Sequence, residues 1–272
     1  MEQTIKIALV GAGMFGGDVH ARAYADLQRF GIAPNLGRVG LDAWTRDFTG
    51  VKVELVAVAT RSEKSAIRAA ENFRNWTAYS PRTYLDVMAV ATPDNLHTEV
   101  ILAALEKGVH VVTEKPMCLS IHEADQIIEL ARKKNRVVAV DMHKRYDPDH
   151  LRIRDDIQMR IGAPLYGTAY LEEPLEVSTS TFKWAEQSDP FSYVGPHWTD
   201  LIYHYYQSKP VSLSAVGQKK RLVRDGINAY DAVQVRVEFE NGMSINFHNN
   251  WITPKDFEGP VNQGHEIVGA HG

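Results

Sequence analysis

The strongest constraint on this chain lies near its start. Residues 5–10 are an unbroken apolar run, which reads as a strand buried on both faces. The run stops at Gly11-Ala-Gly13-Met14-Phe15-Gly16, and a helical stretch follows to about residue 27. Strand, G-x-G-x-x-G and helix in that order form a dinucleotide-binding turn. Gly11 permits the tight turn. Gly13 lets a pyrophosphate approach the backbone, and Gly16 lets the helix pack close to the strand. The helix N-terminus, which carries Met14 and Phe15, offers N–H groups to the phosphates. The plainer alternative is a glycine-rich turn that holds no ligand.

Strand and helix go on alternating. Residues 51–59, 87–91, 109–113 and 136–140 read as strands, and 62–73 and 96–107 as helices. Gly108 stands where a C-cap glycine belongs. Ser120 and Glu123 have capping-box spacing ahead of an apolar stripe, Ala124, Ile127, Ile128 and Ala131. Arg132, Lys133 and Lys134 then complement the helix's negative end. Residues 29–50, with Pro34, Asn35 and several glycines, read as an inserted loop with one short helix near 41–48.

From about residue 143 the texture changes. A helix is expected within 189–207, and strands over 211–216 and 232–240. Asn241-Gly242 is a hairpin signal, with 243–252 returning from it. The expected fold is therefore α/β. A Rossmann doubly wound parallel sheet takes residues 1–143, and an α+β domain with a mainly antiparallel sheet and one or two helices takes 144–272.

Composition narrows the partners. The net charge is −4 with signs interspersed and no basic stripe, which argues against nucleic acid. Cys118 is the one cysteine, so no intrachain disulfide can form. No apolar run approaches a membrane span, and the start carries no basic-then-apolar signal. The expectation is a cytoplasmic protein with no membrane partner and no metal site.

Three further segments carry chemistry. Thr92-Pro93-Asp94-Asn95-Leu96-His97 follows a strand, and loops at the carboxyl ends of parallel strands line the ligand crevice. Asn95 or Asp94 also reads as a helix cap. Glu114-Lys115-Pro116 ends the next strand, where a lysine can hydrogen-bond a substrate oxygen and stabilise developing charge. The second strand ends in Thr60-Arg61-Ser62 with no carboxylate at its tip. An NAD-selective fold usually places Asp or Glu there to hold the ribose 2′-hydroxyl. Hydroxyls and a guanidinium instead suit a 2′-phosphate, so NADP is expected over NAD.

Together these segments resemble the Gfo/Idh/MocA oxidoreductase family. The resemblance is carried by Gly11–Gly16, Thr92 to His97 and Glu114-Lys115-Pro116. His143-Lys-Arg-Tyr-Asp-Pro148 and Gly195-Pro-His197-Trp-Thr-Asp200 continue it through the second half. It implies NAD or NADP binding and oxidation of sugar or cyclitol hydroxyls. It further implies a substrate contact by Lys115, a Lys115–Pro116 bond that is often cis, and His197 as acid or base. Asp200 lies three residues on, on the same helical face. The family's aspartate four residues before that histidine is here Tyr193. An alternative register pairs Asp200 with His204. By the same resemblance, the open face of the second sheet makes a homo-oligomer. The stretch between Phe73 and Val87 is shorter than the resemblance leads one to expect, and Gly272 comes early.

The leading expectation is hydride transfer between NAD(P) and a secondary alcohol, with Lys115 and His197 acting on the substrate oxygen. Trp184, Tyr193, Trp198 and Trp251 are candidates for stacking on a sugar ring, or for simple core. NAD-linked glycoside hydrolysis is one rival. A dinucleotide-binding sensor or interaction module without turnover is the other.

Overall fold

The computed structural model describes residues 3–76 and 84–272. It divides into two compact units, Met1–Asp141 and Met142–Gly272.

The first unit is built on β1 (Gln3–Val10), followed by a wide π-helical turn over Gly16–Ala21 that runs into α1 (Arg22–Phe30). Then come α2 (Ile32–Arg38), β2 (Val51–Ala59), α3 (Glu63–Trp76) and β3 (Val87–Val90). The unit closes with α4 (His97–Glu106), β4 (His110–Thr113), α5 (Ile121–Lys134) and β5 (Val138–Val140). All pairings are parallel, in the order β2-β1-β3-β4-β5. The chain runs from β1 to β2 on one side and then crosses to β3 on the other. This reversal is the switch point at which such sheets open a ligand crevice. Leu9 and Leu55 pack with Tyr24 and Ala25 of α1, while Val90 and Val111 pack with Ile101 and Leu105 of α4 and Ile127 of α5.

Two local expectations fail here. Residues 29–50 are not mainly loop: α2 occupies the stretch, and a 3-10 turn spans Asp42–Phe48. Gly31, at φ +82°, ends α1 and begins α2, and Pro34 falls in α2's first turn, where a helix loses nothing by a missing N–H. Nor does Asp94 or Asn95 cap α4. The N-cap position is Leu96, with no side-chain bond. The capping box does form, Ser120 Oγ accepting from the Glu123 N–H. Part of the short stretch between Phe73 and Val87 lies outside the described residues.

The second unit has α6 (Pro148–Ile161), β6 (Pro164–Pro174), α7 (Pro190–Tyr206), β7 (Pro210–Gln218) and a short α8 (Arg221–Arg224). Strands β8 (Ala232–Phe239), β9 (Ser244–Thr253) and β10 (Asn262–Gly269) complete it. The sheet order is β10-β6-β9-β8-β7, antiparallel except for β6 with β9. The hairpin at Asn241-Gly242 is present, with Gly242 at φ +85°. There are three α-helices rather than one or two, and β6 and β10 come in addition to the expected strands. Trp198, Leu201 and Ile202 of α7 cover Leu171, Val237, Ile245 and Phe247 on one sheet face.

Candidate functional site

In the first unit the site follows from strand register. Val10 is level with Ala59 and Val90, Val90 with Thr113, and Thr113 with Val140. The next residue of each strand therefore falls in one row along the sheet's carboxyl edge: Gly11, Thr60, Ala91, Glu114 and Asp141. Backbone bonds extend the ladder into that row, with Gly11 N–H donating to Ala59 O, Ala91 to Val10 O, Glu114 to Val90 O and Asp141 to Thr113 O.

The three glycines of the turn separate cleanly. A Cβ on Gly11 would meet Ala91 O at 2.3 Å, and one on Gly16 would meet Gly11 O at 2.0 Å. Both glycines are needed for the chain to pack on itself. A Cβ on Gly13 would meet nothing within 4 Å. The space beside Gly13 is where a pyrophosphate is expected, so the turn fits a dinucleotide. Met14 and Phe15 are exposed beside it, and the buried Thr92 Oγ has no hydrogen-bond partner among the described residues.

Around Lys115, which is 6% exposed, the structure places two histidines. His97 is buried, its Nδ1 2.6 Å from Pro116 O and its Nε2 2.9 Å from Thr92 O. The ring thus ties the Thr92-Pro93 loop to the Glu114-Lys115-Pro116 turn, and Asn95 is left exposed nearby. His20, which sequence reasoning missed, donates from Nε2 to Glu114 Oε1 at 2.7 Å. It falls four residues after Gly16 on the same helical turn, but nothing in the sequence ties it to Glu114. The Lys115–Pro116 bond is cis.

At the tip of β2, Thr60, Ser62 and a further residue, Ser65, form a hydroxyl cluster. Thr60 Oγ1 and Ser62 Oγ lie 2.6 and 2.9 Å from Ser65 Oγ. Arg61 beside them is exposed and makes no ion pair among the described residues.

In the second unit α7 carries the remaining candidates. Asp189 caps it, accepting from the Phe191 and Ser192 N–H groups at 2.9 and 3.0 Å. His197 is buried, with the His143 ring edge-on at 5.0 Å. Asp200 is fully engaged by Arg145, whose Nε donates to Oδ2 at 2.7 Å while Nη2 reaches Oδ1. That pair holds the His143–Tyr146 turn against α7, and no hydrogen bond joins Asp200 to His204 among the described residues. Burial, and then Arg145, push the His204 imidazole below its usual pKa. Tyr193 packs edge-on to Phe182 at 4.7 Å in an aromatic cluster with Trp184 and Trp251. Trp198 and Trp251 are buried, with indole N–H groups donating to Tyr170 O and Glu173 Oε2. These two are core, and only Trp184 and Tyr193 keep exposed surface.

The model of the oxidoreductase family's NAD-binding Rossmann fold matches residues 5–142, and the model of its C-terminal domain matches 150–272. The chain belongs to the Gfo/Idh/MocA oxidoreductase family. Among proteins similar to it is a D-glucoside 3-dehydrogenase of Escherichia coli, 29% identical over 91% of this chain and 68% of that protein. Another is a 1,5-anhydro-D-fructose reductase of Ensifer adhaerens, 25% identical over 72% of this chain. The chain spans 61% of that second relative's length. The fold matches a myo-inositol 2-dehydrogenase from Lactobacillus plantarum, with a TM-score of 0.79 at 18% identity over 99% of this chain and 75% of that one. It also matches a scyllo-inositol dehydrogenase from Lactobacillus casei solved with NAD(H) and scyllo-inositol, with a TM-score of 0.75 at 18% identity over 99% and 75%. Among the described residues, no helix of this Gfo/Idh/MocA protein is long and apolar enough to cross a membrane.

Proposed function

We propose that this protein is an NAD(P)-dependent dehydrogenase that oxidises a secondary alcohol of a sugar or cyclitol. The observation that carries the reading is the open backbone at Gly13 on the same crevice edge that presents Lys115. The sugar and inositol activities of the relatives supply the substrate class. When bound, the nicotinamide supplies the hydride acceptor. The chain's residues do the rest. Lys115 hydrogen-bonds the substrate oxygen and stabilises the charge that develops on it, while His197 accepts the hydroxyl proton. Asp200 acts through Arg145, which keeps the segment beside His197 in place.

The test is a cofactor-reduction screen over sugars, cyclitols and sugar acids. Reduction with one class is expected. Free product sugar without net cofactor reduction would point instead to glycoside hydrolysis. Cofactor binding with no turnover on any compound would point to a sensor.

We read the β2 tip as selecting NADP. The hydroxyls of Thr60, Ser62 and Ser65 and the exposed Arg61, in no ion pair among the described residues, suit a phosphate dianion, and Thr60-Arg61-Ser62 includes no carboxylate. By calorimetry NADP should bind more tightly than NAD. Arg61→Ala should weaken NADP by about tenfold or more, the worth of a charge-assisted bond, and NAD far less. Equal losses, or NAD the tighter ligand, would reject the assignment.

A further inference from the structure

We propose that His20 is a positioning residue for Lys115, fixing one flank of its turn while His97 fixes the other. The inference rests on the reading of Lys115 as the residue that meets the substrate oxygen.

His20 lies in the π-helical turn Gly16–Ala21 that follows the phosphate-binding glycines. A π turn inserts an extra residue and changes which side chains face inward, and such turns recur at functional sites. Here it accompanies an imidazole, 7% exposed, set against the ends of β4 and β5. Its Nε2 lies 2.7 Å from Glu114 Oε1 and 3.9 Å from Asp141 Oδ2. The bond to Glu114 is short and charge-assisted, the strong kind. Phe15 meets the His20 ring edge-on at 5.8 Å, and Tyr24 tilts against it at 6.0 Å. Burial and the two carboxylates push the Tyr24 phenol far above its usual pKa, so it stays neutral.

Lys115 is thus held between two restrained neighbours. The Glu114 side chain is tied to the glycine-turn helix through His20, and the Pro116 carbonyl to α4 through His97. A lysine reaches its target through four rotatable bonds. Fixing the backbone at both sides removes the freedom that would otherwise blur the ammonium position. A displacement of about 1 Å can cost on the order of a hundredfold in rate. The same bond links Phe15 and the phosphate turn to the lysine loop.

The experiment compares His20→Leu, which removes the donor, with His20→Gln, whose amide restores one. Both are measured for kcat, for KM, for cofactor Kd and for deuterium exchange of the amides over residues 113–118. In H20L we expect kcat to fall at least about tenfold, with cofactor Kd within about threefold. Exchange over 113–118 should also rise about tenfold. H20Q should recover kcat to within about threefold of the natural protein. Wild-type exchange and kcat in H20L would overturn the proposal, and so would H20Q as impaired as H20L. Should H20L fail to fold, His20→Asn replaces it with the same expectations, since its shorter amide does not reach Glu114. Lys115→Ala run alongside separates the two ideas. If K115A turns over normally, the role given to Lys115 falls, and the exchange data still report whether His20 orders the turn. If K115A is inactive and H20L is unaffected, the His20 inference alone falls.

Discussion

Replacing Lys115 with alanine is expected to lower turnover more than about a hundredfold while cofactor affinity stays within about threefold. As a secondary alcohol loses hydride, its oxygen gives up a proton and passes through alkoxide character. A preorganised cation beside it acts in the transition state more than in the ground state, and that difference appears in kcat. Losing one such partner typically costs 10²–10³ in rate, about 3–4 kcal/mol of barrier. Cofactor affinity should hold, because the residues assigned to the phosphates, Gly11 to Gly16, belong to a different turn. Lys115→Arg should not rescue, since a broad planar guanidinium does not put a compact charge at the ammonium position. His197→Ala in the same assay should flatten the acid limb of the pH profile, because the proton acceptor is gone. Lys115→Ala within tenfold of the natural enzyme, on its best substrate, would remove the lysine from the mechanism. Circular dichroism melting separates that result from a fold lost with a buried side chain.

What the sequence made legible, and what it did not, divides along physical lines. Strand, glycine turn and helix are local, so the first sheet could be read from apolar runs and punctuation. Ser120 and Glu123 announced a helix start that the structure forms through a bond between them. The stretch 29–50 misled because Pro34 and four glycines look like breakers, yet proline is harmless in a first turn. Strand β6 escaped because its inward residues include Gly167 and Ala169, small side chains that give no apolar alternation. Strand β10 escaped for a related reason, with Gly264 and Gly269 inside it. At the site, Lys115 and His97 were visible through their motifs. The bond between His20 and Glu114 joins residues 94 apart in sequence, and no spacing rule reaches that far. Asp200 looked like a partner for a histidine because both lie on one helical face. That its oxygens go to Arg145 depends on a turn 55 residues upstream.

The glycines allow the dinucleotide reading to be separated from the fold itself. Gly13→Ala and Gly16→Ala add the same methyl group three residues apart, and the structure predicts opposite outcomes. At Gly16 the methyl carbon would lie 2.0 Å from Gly11 O and 3.2 Å from the Ala91 Cβ. The helix must then move off the strand, so both stability and cofactor binding should fall. At Gly13 the methyl carbon meets nothing within 4 Å, and the backbone is not left-handed. The free protein should tolerate it. Its melting temperature should hold or rise slightly, since alanine lowers the unfolded chain's entropy by an amount worth about 0.4–1 kcal/mol. The methyl does, however, occupy the ground a pyrophosphate needs for close approach to the backbone N–H groups. Cofactor Kd should rise more than about a hundredfold, from loss of two or more charge-assisted bonds at about 1.5–3 kcal/mol each. A G13A protein that melts normally and binds NADP and NAD as well as the natural chain would show that this turn does not hold a dinucleotide. A G13A protein that unfolds would show that Gly13 serves the fold, as Gly16 does. Normal melting with cofactor binding lost is the outcome expected if the space beside Gly13 is kept open for the phosphates.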